Sequence, residues 1–178
     1  NRRHSRDDYL RIIDFLKAEN PNLKLSSDFI VGFPGETDED FLATLSLVDE
    51  VDFVQAFSFK YSPRPGTPGA SMENQIPEEV KSERLTQLQA LLMSKQRRFN
   101  EACVGTVMPV LLDRPGRNFG QLAGRSPYMQ AVHVTAPADY IGKRVNLKVE
   151  AAFTNSLGAV FADTPLSFWS ERLERNDG

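Results

Sequence analysis

The sequence predicts an α/β segment followed by a small all-β barrel, and three observations carry that reading. Up to about Glu101, apolar residues recur with helical period around two short runs rich in branched and aromatic side chains, Leu25 to Val31 and Phe53 to Tyr61. Beyond Gly105 that period gives way to five short runs divided by glycine, proline and asparagine. The charge balance changes with the texture, from 13 Lys and Arg against 17 Asp and Glu in residues 1–103 to 6 against 4 in residues 104–163.

Ser5, with Asp8 three residues on, has the pattern of a capping box, and Tyr9, Ile12, Ile13 and Leu16 form the stripe of a first helix that ends before Asn20-Pro21. The stretch Ser27 to Thr37 then packs a buried strand, a glycine turn and a helix start together. Alternation puts Asp28, Ile30 and Gly32 on one face and Leu25, Ser27, Phe29 and Val31 on the other, which is the face expected to meet helices in a parallel arrangement. Gly32 and Gly35 give backbone freedom around Pro34, and Thr37 with Asp40 caps a second helix running to about Glu50, with Phe41, Leu45 and Val48 inward. Amides left exposed at such a turn suit an anion. A plain strand-to-helix turn has the same signature.

In the second strand Phe57 and Phe59 share one face and Ser58 and Lys60 the other. Three prolines and two glycines in residues 62–69 predict a stiff irregular loop, where Arg64 either reaches a carboxylate or phosphate or is simply solvated. Pro77 reads as the first residue of a long third helix, with Glu78, Glu79 and Glu83 near its positive end and Leu85, Leu88, Leu92 and Phe99 along it. Two strands cannot make an adequate parallel sheet, so residues 1–103 read as part of a larger domain.

The five later runs are Thr106 to Asp113, Gln121 to Ser126, Met129 to Thr135, Arg144 to Ala151 and Ala159 to Ala162, at the spacing of an oligonucleotide-binding-like barrel. Arg114, Arg117, Arg125, Lys143, Arg144 and Lys148 could line one face of it, with Phe119, Tyr128 or Phe153 as stacking candidates. A solvated basic surface over core aromatics fits the same spacing. Residues 104–163 therefore read as a second domain, and the tail 164–178, with Leu166, Phe168, Trp169 and Leu173, as a short helix packing back.

At 40% hydrophobic and 25% charged the composition is that of an ordinary globular protein and does not indicate disorder. No apolar run approaches the ~20 residues of a membrane span, and no signal core follows the first residues, which predicts a cytoplasmic setting and no membrane partner. Cys103 is the single cysteine, so an internal disulfide and a multi-cysteine metal site are excluded within these residues, and Cys103 reads as inert packing. His4 and His133 show no metal-ligand spacing.

Ser27-Asp28-Phe29-Ile30-Val31-Gly32-Phe33-Pro34-Gly35-Glu36-Thr37 and Phe57-Ser58-Phe59-Lys60-Tyr61-Ser62-Pro63-Arg64-Pro65-Gly66-Thr67-Pro68 resemble the radical S-adenosylmethionine methylthiotransferases. Residues 104–163, with Gln121-Leu122-Ala123-Gly124-Arg125 and Asn155-Ser156-Leu157, look like the TRAM domain of that family, so the likeness runs from Arg3 to Ala162. It implies the end of a partial (β/α) barrel followed by a five-stranded TRAM barrel. It implies a monomeric, cytoplasmic parent enzyme that adds a methylthio group to C2 of an isopentenylated adenosine beside the tRNA anticodon. S-adenosylmethionine and two [4Fe-4S] clusters would be its cofactors, one cluster generating a 5'-deoxyadenosyl radical and the other supporting sulfur transfer. Ile30, Gly32 and Glu36 would lie toward the S-adenosylmethionine, and Arg114, Arg117, Arg125, Lys143 and Arg144 toward tRNA. The family's Cys-x-x-x-Cys-x-x-Cys motif is not among these residues, so the likeness is to the C-terminal portion, and the portion alone is expected to be inactive. A ribosomal-protein aspartate methylthiotransferase and a stand-alone RNA-binding adaptor remain alternatives.

Overall fold

The elements follow the order α-β-α-β-α and then five strands, in a computed structural model that describes residues 4–162. The tail helix expected after Thr164 lies outside the described residues. Two compact units divide between Lys95 and Gln96.

In the first unit, α1 (Arg6–Glu19) starts at the capping box, with Asp8 N–H donating to Ser5 Oγ at 3.2 Å and Ser5 N–H to Asp8 Oδ2 at 2.9 Å. Its inner stripe differs from the predicted one: Ile13 is buried with Tyr9 and Leu10 packed beside it, whereas Ile12 and Leu16 are exposed. Only the Tyr9, Leu10 and Ile13 side of the helix joins the core cluster, so the apolar residues on its shoulder stay outside. β1 (Ser26–Val31) pairs in parallel with β2 (Gln55–Lys60), as expected, with Asp28 opposite Phe57 and Ile30 opposite Phe59. Phe29 and Val31 point into the core. α2 (Asp38–Val51) begins at Thr37, whose Oγ1 accepts from Asp40 N–H at 3.2 Å while Asp40 Oδ2 accepts from Thr37 N–H at 3.0 Å. Phe41, Val48 and Val51 then bury against Leu88 and Leu92 of α3 (Glu78–Ala102). Pro77 stands one residue earlier than predicted, before the helix, where its carbonyl accepts from Lys81 N–H at 3.1 Å. The 62–69 loop closes with a 3₁₀ turn at Pro68–Ser71, because Pro68 presets the backbone angle of its first residue.

In the second unit, β3 (Val107–Pro115), β4 (Gln121–Arg125), β5 (Ala131–Thr135), β6 (Arg144–Ala152) and β7 (Ser156–Phe161) close a barrel in the order β3-β4-β5-β7-β6. Every neighbouring pair is antiparallel except β5 with β7. Inward residues alternate along each strand and fill the interior with Val110, Leu112, Leu122, Val132, Val134, Leu147, Val149 and Leu157. β7 starts three residues before the expected Ala159, and the chain reverses at Phe153–Asn155, because Leu157 belongs to the core and pulls Ser156 into the ladder. Gly124 permits a close backbone approach between β4 and β3: a Cβ there would collide with the backbone of Leu111 and Leu112. Cys103 is buried in this core, 3.6 Å from Gln130 Nε2, in accord with a packing role.

Candidate functional site

The Gly32–Thr37 hinge is closed on itself, which corrects the reading of its amides as a ready anion site. Gly32, at φ +73°, donates its N–H to Glu36 Oε2 at 2.8 Å, Glu36 N–H goes to Phe33 O at 2.9 Å and Gly35 N–H to Asn74 O at 2.8 Å. The anion at this turn is the chain's own Glu36. Its carboxylate, with the side chain 12% exposed, meets Arg84 Nη1 at 2.8 Å, and the second guanidinium nitrogen holds Asp38 Oδ1 at 2.7 Å. Arg84 also donates to Glu36 O at 3.1 Å and lies 5.6 Å from the centre of the Phe41 ring. Burial disfavours the charged guanidinium, but the bonds to Asp38 and Glu36 outweigh it and leave Arg84 more firmly protonated than usual.

Gly32 is further packed on the Lys81 stem, where any Cβ would strike Cγ. Lys81 Nζ binds Glu78 Oε2 at 2.8 Å, and Lys60 binds the other carboxylate oxygen. Lys60, and then Lys81, pull the Glu78 pKa down to about 2. Of the three residues assigned to S-adenosylmethionine, Ile30 alone presents an exposed side chain, and Phe57 and Phe59 stand exposed beside it on β2. Arg64 is exposed, and its carbonyl accepts from Thr67 Oγ1 at 2.8 Å.

On the barrel the basic candidates fall into two groups. Leu111 of β3 is opposite both Arg125 on β4 and Arg144 on β6, so these two arginines flank one exposed leucine, and Lys143 precedes Arg144. Lys143 Nζ lies 4.7 Å from the Tyr140 ring centre and 3.8 Å from Asp139 Oδ2. Arg114 and Arg117 belong instead to the β3–β4 turn end, where Arg114 Nη1 binds Asp113 Oδ1 at 2.7 Å. Among the aromatic candidates, Phe119 is 86% exposed in that turn, whereas Tyr128 is packed edge-on against Phe99 at 5.3 Å. Phe153 lies beside His133, a residue that sequence reasoning weighed only as a metal ligand.

Arg84 and Lys95 also escaped sequence reasoning. Lys95 is buried, with Nζ 2.9 Å from Asp49 O, 3.0 Å from Asp49 Oδ1 and 3.3 Å from Asp52 Oδ1. Lys17 Nζ reaches Val51 O at 3.0 Å. Neighbouring helices thus bring two cations to the negative end of α2, which has no basic residue in its own last turn. The signal was present, since Lys81, Arg84, Leu88, Leu92 and Lys95 lie on one helical stripe.

Residues 101–162 match the TRAM domain model. The chain is 57% identical over 157 residues to a tRNA-2-methylthio-N(6)-dimethylallyladenosine synthase of Maricaulis maris (strain MCS10), covering 88% of this chain and 34% of the relative. A protein of the same name from Rickettsia bellii (strain OSU 85-389) is 54% identical over 158 residues, 88% of this chain and 35% of the relative. The chain spans about a third of the length of the curated relatives it matches.

Proposed function

We propose, from the premise that the chain carries a TRAM domain and is homologous over most of its length to the tRNA-2-methylthio-N(6)-dimethylallyladenosine synthases, that it serves a tRNA methylthiotransferase. The protein would add a methylthio group to C2 of N6-isopentenyladenosine beside the anticodon, working as a cytoplasmic monomer on tRNA. The observation that carries this reading is the 57% identity, which runs through both the α/β segment and the barrel. Both relatives bear the tRNA name, which disfavours the ribosomal-protein reading, and the matched α/β segment disfavours the adaptor. Among the described residues no helix is long and apolar enough to cross a membrane.

Division of labour follows from the side chains. We assign residues 1–103 to the S-adenosylmethionine barrel, 104–163 to tRNA and 164–178 to a tail. S-adenosylmethionine supplies the radical chemistry when bound. Ile30 would contact its adenosyl part, Gly32 would let the backbone turn close, and Glu36 would hold that turn through Arg84. The donor set does not fit an iron-sulfur cluster, since the 178 residues contain one thiol, buried in the barrel core. These residues by themselves would therefore lack activity. Arg114, Arg117, Arg125, Lys143 and Arg144 would meet tRNA phosphates.

The binding half is tested by titrating the chain with unmodified tRNA at several salt concentrations. Arg117→Ala or Arg125→Ala should lower the slope of log affinity against log salt by about 0.9 per lost phosphate contact. Unchanged slopes would return these arginines to a solvated surface. The catalytic half is tested by whether the full-length protein restores 2-methylthio-adenosine to tRNA from a strain lacking it.

A further inference from the structure

The outer face of the barrel carries a row in which an aromatic pair stands among residues with almost no side chain. By register, Arg114 of β3 is opposite Ala123 of β4, Ala123 is opposite His133 of β5, His133 is opposite Gly158 of β7, and Gly158 is opposite Ala151 of β6. Directly opposed Cβ atoms lie roughly 5 Å apart, so the His133 imidazole is bordered by a methyl group on one side and by bare backbone on the other. The Phe153 ring comes from the β6–β7 turn to within 5.3 Å of the imidazole, centre to centre, with 37° between the planes. A Cβ on Gly158 would stand 3.2 Å from Phe153 Cε2 and 3.4 Å from His133 Nε2, so the glycine leaves the two rings room to lie against the sheet.

Phe153 is 50% exposed and yet firmly held. Its N–H donates to Ser156 O at 2.8 Å, and its carbonyl accepts from Asn100 Nδ2 at 3.2 Å. Asn100 is buried and accepts from Gln130 Nε2 at 2.8 Å, and Gln130 Oε1 accepts from Ser126 Oγ at 2.9 Å. A buried amide network therefore anchors the backbone of Phe153, a residue that stays half exposed.

We propose that His133 and Phe153, seated over Gly158, form a stacking site for one unpaired base of RNA. The site rests on the RNA-binding reading above and deepens it by naming where a base, and not only a phosphate, is held. Its occupant follows from the neighbours. Arg114 ends the same row two strands away, beyond Ala123, and Arg125 lies in the adjacent row on β4 with its guanidinium donating to Met129 O, so two cations stand on the β3–β4 side of the rings, the side on which a phosphate next to a stacked base would be met. Among the described residues the carboxylates on this side of the barrel are Asp113, which is paired with Arg114, and Glu150, which is exposed in the β6 irregularity beside Ala151. A flat aromatic floor with small rims fits the face of a base, and every base has one.

The experiment titrates the full chain with a short single-stranded RNA containing one 2-aminopurine, and separately with tRNA, at low and moderate salt. The wild-type chain should quench the 2-aminopurine on binding. Phe153→Leu keeps apolar bulk but loses the ring, and it should weaken binding about fivefold to a hundredfold while leaving the salt slope unchanged. Phe153→Tyr should retain both affinity and quench. His133→Gln gives a second reading that does not depend on how the Leu variant folds. Wild-type affinity and quench in both Phe153→Leu and His133→Gln would overturn the stacking site while leaving phosphate binding intact. Failure of the wild-type chain to bind either RNA at low salt would remove the RNA-binding reading and this site with it.

Discussion

Replacing Arg84 by alanine should loosen the hinge between β1 and α2 more than its single charge would suggest. The substitution leaves the Glu36 carboxylate, only 12% exposed, without its cation, while the Asp38 arm, with a side chain 87% exposed, returns to water at little cost. Breaking a buried pair from one side costs about 3–5 kcal/mol, and the exposed arm adds less than about 1 kcal/mol. Amide exchange of Phe29, Val31 and Phe41 is the suitable assay, because a chain of two units need not unfold in one step. A loss of about 3 kcal/mol corresponds to roughly 150-fold faster exchange at these amides. Arg84→Met combined with Glu36→Gln should recover about 2 kcal/mol of that loss, since no unpaired charge remains buried. A loss below about 1 kcal/mol, or additive single and double variants, would refute the pairing as the support of the hinge.

Three further outcomes follow from the geometry. Glu78 is held at a pKa of about 2, below its ordinary 4.5, so its contribution should be complete above pH 4.5 and vanish as pH falls from there toward 2; a carboxyl NMR titration reads this, and Glu78→Gln should remove that part of the acid sensitivity. Asp8 and Asp40 shift the same way, through the backbone N–H groups of Ser5 and Thr37. Gly32→Ala should destabilise the first unit by about 1–2 kcal/mol from its positive φ, with an added clash on the Lys81 stem that Lys81→Ala relieves, and urea unfolding of the single and double variants separates the two terms. Gly124→Ala should cost more than Gly32→Ala, because its Cβ meets backbone and not a movable side chain, and the barrel amides Leu112 and Leu122 should then lose exchange protection.

Local chemistry determined much of this molecule from the sequence alone. Two capping boxes, the alternation of Phe29 and Val31, the stop at Gly105 and the five short strands depend on interactions within a few residues, so periodicity and cap residues reported them. The likeness carried by the Ser27–Thr37 stretch and by residues 104–163 also reached the methylthiotransferase relatives. Tertiary structure decided what depends on partners far apart in the chain. Ile12 and Leu16 share α1 with Ile13 but stay exposed among the described residues, because the elements packed against the helix, not the helical period, select the buried line. Gly32 read as an open turn residue, and it was Arg84, 48 positions after Glu36, that paired with the Glu36 carboxylate to which the Gly32 N–H donates. His133 acquired its aromatic neighbour when barrel closure set β5 against β7 and so brought it beside Gly158 and Phe153, a meeting that no spacing along the chain encodes. Sequence period reports which residues face inward on one element; only the folded chain settles which charges and rings meet across elements, because those contacts are fixed by the packing of whole helices and strands.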